Sequence, residues 1–502
     1  MAEKVQNRWL VVVGAIIIQL CLGAIYAWSV FTPALTAETP YQFANVYKAP
    51  QLGLEQGKFE EMLDRMKGPE KELKGVNAKL KAGAGDRAEP LKAKKKALLG
   101  QLDGTVTSFV PQKRLDELTY KFTKTESQAI FSAGLAAFAI IMVLAGRMMP
   151  KLGPRCVASM GGVVLGLGYI LAGLFGGHGF LAHFIFIGLI GGAGIGLAYV
   201  VPIAVAMRWF PDMKGLITGL AVAGFGFGAL IWVKLAGPFG ALIANFGLAS
   251  TFLYYGIVFG VAVLIGSIWM VYPPEGWKPA GWTPPAPTGK DGTAAAGTVD
   301  FKSGEMLATP QFYMILLTFA FGASAGLMSI GLMKLFPMKA LTSSGMDPLA
   351  ASAVAGTAMA VFFSLANGLG RIVWGALSDK LGRKGSIVLM MATQGVFVIL
   401  FQWMAGNEYL LYLGAALIGF NFGGNFSLFP TITADTFGAK YVGQNYGWVF
   451  LAYGIGGIFG PILGGKLGDM ENFALAFTIC GILCLVAAGL VAMVRPPRQA
   501  AA

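Results

Sequence analysis

The sequence predicts an all-α membrane protein of twelve transmembrane helices in two six-helix halves, with a helical insertion outside the membrane. Three observations predict it. Of 502 residues 56% are hydrophobic and only 13% charged, and the mean hydropathy of +0.65 lies far above that of an ordinary soluble domain. About a dozen apolar runs reach the roughly 20 residues that cross about 30 Å of hydrocarbon. Two loop sequences echo each other six runs apart: GRMMPKLGPR at 146–155 follows the second run and GALSDKLGRK at 375–384 follows the eighth, as repeated halves would. Glycine, 71 of 502 residues, lets helices in lipid approach closely.

The first run, near 9–35, lacks a short h-region with an A-x-A cleavage site, so residues 1–36 read as a retained first helix. Residues 37–124 form a polar insertion rich in Lys and Glu. Within it Phe59, Met62, Leu63 and Met66, then Leu73, Val76 and Leu80, then Leu91, Leu98 and Leu102 recur at helical spacing, predicting two or three amphipathic helices. The insertion is either a tolerated loop or a cap, sensor or protein-docking surface. Residues 125–271 carry helices two to six, in runs near 127–146, 156–175, 183–206, 216–236 and 249–271. Residues 272–308, rich in Pro, Gly and Ala, read as a flexible cytoplasmic linker. The second half, 309–502, holds runs near 311–336, 351–376, 386–405, 410–432, 444–466 and 473–494 before a short tail; Thr309 followed by Pro310 is an N-cap with Pro at the first helical position.

The net charge of +13 does not point to nucleic acid, because the cations are spread over loops instead of forming one face with interleaved aromatics. They follow membrane topology. Short loops with Arg147, Lys151 and Arg155, with Arg208 and Lys214, and with Lys380, Arg383 and Lys384, and the tail with Arg495 and Arg498, share one side. The bias of Lys and Arg toward the cytoplasm makes that side the inside of the inner membrane, with both termini cytoplasmic, and a long insertion translocates largely regardless of its charge. Cys21, Cys156, Cys480 and Cys484 lie in or beside apolar segments, where cysteine behaves as a small hydrophobe. Cys480 and Cys484 share a helix face, but neither His nor carboxylate joins them, so no metal or cofactor is expected. No helix carries a nucleophile, a base and an orienting group together, which speaks against an enzyme.

The loop pattern Gly375, Asp379, Lys380, Gly382, Arg383 and Lys384 resembles the cytoplasmic signature of the major facilitator superfamily. An Asp at a helix end paired with cations across the two halves can latch one conformation, and the glycines permit the turn. The first copy has Pro150 where that Asp is expected. A narrower resemblance, to the oxalate/formate antiporter family and its monocarboxylate relatives, rests on NRWLVVVGA and GAIYAWSVF, GAGIGLAYVV with RWFPDMKG, SGEMLATPQF, NGLGRIVWGALSDKLGR and NYG, in order along the chain. It implies a secondary transporter of small organic anions by alternating access.

Arg371 lies eight positions before Asp379, about 12 Å along a helix and near the bilayer midplane. An Arg there is costly and by default faces a cavity; its fork suits a carboxylate. The resemblance also marks it as the substrate arginine. Tyr199, Tyr453, Phe422 and Phe426 fall at similar depth, with Tyr26 further out. Their hydroxyls and ring faces could enclose a two- or three-carbon body, and Tyr26, Tyr199 and Phe426 match the family's aromatic cage. Where oxalate carriers place a Lys on the eleventh helix, this chain has Tyr453. One cation suits one carboxylate, so formate, acetate, lactate or pyruvate is expected. Lys234 and Lys334 sit toward outer helix ends, and His178 and His183 in an outer loop. One turn before Arg371, where an acid could neutralise it, stands Asn367, which favours anion exchange and leaves symport with a proton as the alternative. The rivals are an oxalate/formate antiporter proper, a major facilitator carrier of drugs or sugars, and a membrane sensor using the insertion.

Overall fold

In the computed structural model the described residues are 6–81, 88–120, 122–177, 179–237, 240–283, 300–333, 335–346, 348–470 and 472–495. They are helical, with no strand among them. Twelve long helices form the bundle: α1 (Arg8–Leu22, continued by a tighter 3-10 stretch Gly23–Val30), α2 (Lys124–Leu152), α3 (Pro154–Phe175), α4 (Phe180–Trp209), α5 (Lys214–Ala236) and α6 (Leu242–Ser267), then α7 (Pro310–Leu332), α8 (Val354–Leu381), α9 (Arg383–Met404), α10 (Glu408–Phe437), α11 (Val442–Asp469) and α12 (Phe473–Ala492). Eleven are long and apolar enough to cross a membrane on their own composition. The other, α10, has 30 residues and therefore length to spare, but the buried Asn421 and Asn425 lower its hydropathy.

Local sequence sets the helix starts. Thr123 and Glu126 form a reciprocal capping box at α2, and the Thr309 hydroxyl accepts from Phe312 N before Pro310 opens α7. In the first half α3 packs on α6, α2 on α4 and α1 on α5; in the second α9 packs on α12, α7 on α11 and α8 on α10. The halves meet along α5–α8 and α2–α11, a pairing that maps onto itself when the repeats are exchanged. Both crossings need glycine. A methyl group on Gly215 would overlap the carbonyl of Gly375, and one on Gly146 the carbonyl of Gly443.

By connectivity, the short basic loops lie at one end of the bundle and the insertion at the other. Helices Gln56–Lys81 and Ala88–Phe109 pack as a hairpin around Met62, Met66, Leu102 and Val106, all buried. None of its large hydrophobic residues is exposed among those described. The insertion is tied to the first half: Lys48 N donates to Ala244 O at 2.9 Å and Phe122 N to Leu35 O at 3.1 Å, and Gln51 Nε2 donates to Asn245 O at 3.0 Å. Helix Gln56–Lys81 also touches Pro348–Thr357, at the start of α8 in the other half.

Two expectations change. His183 is not in an exposed loop: it is buried at the start of α4 beneath Tyr120, Phe122 and Phe252, because the returning insertion segment covers it. His178 lies outside the described residues, as does Lys334. The two described ends of the linker are packed rather than free. Trp277 sits edge-on to Trp209 at 4.8 Å, and Phe301 N donates to Phe437 O at 2.9 Å. Cys156 is exposed at the basic end, whereas Cys21, Cys480 and Cys484 are buried.

Candidate functional site

Arg371 is 1% exposed, inside α8 and three turns from its basic end. Its Nε donates to Asn367 Oδ1 at 3.1 Å, one turn back on the same helix. Its Nη1 donates across the half interface to the carbonyl of Val222 on α5 at 2.9 Å. Both acceptors are neutral, and no carboxylate forms an ion pair with it among the described residues. The ring of Phe426 lies 4.2 Å and that of Phe225 5.8 Å from the guanidinium carbon, a cation–π arrangement that partly offsets the loss of water.

A second cross-half contact closes the layer, where the hydroxyls of Tyr26 and Tyr453 hydrogen-bond to each other. Tyr26 thus belongs to the same layer and not further out. Side chains lean toward their helix N-terminus, and α1 and α11 both enter from the basic end while α8 enters from the other, so Tyr26, Tyr453 and Arg371 converge. Tyr199 is buried with its ring on Phe138 at 5.0 Å, Phe225 at 5.4 Å and Phe450 at 5.4 Å. Phe422 packs on Phe426 at 5.4 Å and against Gly326 of α7, where a methyl group would overlap its ring. It supports Phe426 instead of covering the arginine.

At the basic end, Asp379 accepts from Gly215 N at 2.9 Å and Leu216 N at 2.8 Å and pairs with Arg383 at 2.6 Å. A carboxylate at the first turn of α5 meets free N–H groups and the positive end of the helix dipole. Arg383 also reaches Asp435 at 3.0 Å, and Lys214 pairs with Asp435 across the halves at 2.8 Å. Gly375 supplies the close crossing and Gly382 the turn, with φ of 81°. Two expected latch cations stand apart: Lys380 is exposed, and Lys384 Nζ donates to Val494 O at 3.1 Å within its own half. The helix turn aims them away from α5. On the departing first copy, Arg147 stacks over Trp448 of α11 at 5.3 Å.

The sequence profile of the Major Facilitator Superfamily matches residues 98–363 and 331–502. The chain belongs to that superfamily. It is a multi-pass membrane transporter and not an enzyme. It is 27% identical over 352 residues to the oxalate:formate antiporter of Oxalobacter formigenes, covering 70% of this chain and 78% of that protein. It is 25% identical over 364 residues to monocarboxylate transporter 13 of Rattus norvegicus, covering 72% and 78%. Among solved superfamily structures, a proton:xylose symporter aligns over 96% of this chain and 94% of its own, with a TM-score of 0.55 at 11% identity; that likeness shows the fold.

Sequence reasoning missed Phe225, Val222 and Gln19, whose Nε2 donates to Tyr199 O at 3.1 Å, as well as the pair Lys214 and Asp435. Lys214 lies in the segment RWFPDMKG marked by the resemblance, but nothing near it in sequence pairs it with Asp435. A backbone carbonyl such as Val222 O leaves no signal.

Proposed function

We propose that this transporter carries small monocarboxylates such as formate, acetate, lactate or pyruvate across the inner membrane, with the basic-loop end in the cytoplasm and Arg371 as the anion site. The observation that carries the reading is a wholly buried arginine whose hydrogen-bond partners are neutral. A cation so placed is unfavourable until an anion joins it, and its planar fork matches a carboxylate. Asn367, Phe426 and Phe225 hold the fork; the Tyr26 and Tyr453 hydroxyls supply donors that can turn from each other to the substrate.

Mono- over dicarboxylate follows from charge. The described layer around Arg371 contains one cation, and Tyr453 stands where the resemblance to oxalate carriers would put a second. Two carboxylates in a low-dielectric site need two compensating charges. Exchange of one anion for another is the mode this site favours, with proton symport as the alternative reading. Alternating access then rocks the two halves about the layer. Counterflow in proteoliposomes, loaded in turn with mono- and dicarboxylates, tests it: labelled formate, acetate, lactate or pyruvate should be driven inward by its own unlabelled form, and preference for oxalate would overturn the assignment.

A further inference from the structure

Between the anion layer and the basic end lies a tyrosine that the proposed site does not use. Tyr446 is fully buried, and its hydroxyl has no hydrogen-bond partner among the described residues. Tyr199, across the interface on α4, has an equally buried hydroxyl, also without a partner among the described residues. Both rings flank Phe450, at 5.7 and 5.4 Å. Tyr446 stands about one turn inside the start of α11, and Tyr453 is two turns further on the same helix face. Just before it, Gly443 packs against Gly146 where the halves close. Tyr446 therefore sits on the inner side of that closure, on the line from Arg371 to the basic loops.

A buried hydroxyl without a partner is unfavourable, so native proteins leave few of them. Two facing the same closed interface point to a partner supplied when that interface opens. We infer that Tyr446, with Tyr199, is a donor station for the carboxylate on its way between Arg371 and the basic-end vestibule, a positioning residue for binding from that side only. A phenol suits this role because it offers a hydrogen bond to an anion without a charge that would trap it. The inference rests on the carboxylate reading of Arg371.

The test uses the full-length protein in proteoliposomes of known orientation, with labelled formate and with acetate and pyruvate alongside. Tyr446→Phe keeps the ring and removes only the hydroxyl. The half-saturating concentration at the basic-loop face should rise about ten- to a hundredfold, the effect of one hydrogen bond to a charged group, while the value at the insertion face stays within about twofold. In a Cys156→Ser background, Tyr446→Cys should be labelled by an impermeant maleimide from the basic-loop face only, and formate should protect it. Equal shifts at both faces, no shift, or labelling from the insertion face would overturn the inference while leaving the Arg371 site intact. If the wild type moves none of the three anions, the carboxylate reading falls and takes this station with it.

Discussion

In the proposed site Arg371 concentrates the chemistry, and the way it is held decides what its replacement does. Its Nε and Nη1 are already directed by Asn367 and Val222 O, which leaves the remaining N–H groups of the fork to face the layer. Lysine keeps the charge and loses the fork. Arg371→Lys should therefore lose most uptake and Arg371→Ala nearly all, with normal amounts of protein in the membrane; near-normal uptake by the alanine variant would remove the residue from the site. In the monocarboxylate reading Tyr453 bears on selectivity. Its hydroxyl already meets that of Tyr26, so the ammonium of Tyr453→Lys can occupy the same layer and supply the second cation a dicarboxylate needs. Oxalate should gain about ten- to a hundredfold over formate in competition for counterflow, since a desolvated charge pair nets at most a few kcal/mol. Monocarboxylate flux should fall in the same variant, where the new cation is left unpaired. Unchanged preference in a well-folded variant would mean that Tyr453 does not line the site.

At the scale of helices, closure of the basic end depends on backbone contact at Gly215–Gly375 and Gly146–Gly443, reinforced by Asp379 on the first turn of α5. Gly215→Ala places a methyl group against the Gly375 carbonyl, so the closed arrangement should lose population. An Ala204→Cys reporter, beside Gly443, should then be labelled severalfold faster from the basic face, and counterflow should drop by more than about tenfold; unchanged labelling would show that the crossing tolerates the methyl group. The insertion gives a topology prediction: Ala93→Cys, exposed on helix Ala88–Phe109, should react with impermeant reagent in intact spheroplasts, and reaction only after permeabilisation would invert the proposed orientation. What could be read from sequence follows from how local each signal is. Helices, caps and the Gly375 to Lys384 turn are written in neighbouring residues, and Arg371 stands out because a cation inside an apolar run is costly wherever it points. Lys214 and Asp435 lie 221 positions apart and meet only because α5 and α10 do. The burial of His183 likewise depends on a segment returning from the insertion.

For the molecule as a whole, the contacts that close the layer are also the contacts that must break when the halves rock. Arg371 with Val222 O and Tyr26 with Tyr453 each join the first half to the second, and in the proposed reading a bound carboxylate competes for the same donors. Binding and closure are thus coupled through one set of atoms, which is the differential interaction a conformational change requires. Without an anion, the halves must close on a cation held by neutral acceptors alone, and the charge remains uncompensated. In the proposed exchange mode, return is then slow and exchange is fast. Asn367 is where this balance can be altered, because its Oδ1 is already 3.1 Å from Arg371 Nε and an aspartate of the same shape would put a negative charge there. Asn367→Asp should therefore speed the unloaded return. Net efflux of preloaded formate into anion-free buffer should rise about tenfold relative to exchange, and exchange itself should slow, because the internal carboxylate competes with the substrate for the fork. Net efflux in the variant should also respond to pH, since protonation of the new carboxyl restores the neutral partner that Asn367 provides. If wild type already shows net efflux as fast as exchange, the uncompensated arginine does not limit return, and the exchange mode must be given up in favour of a substrate that crosses with its own proton.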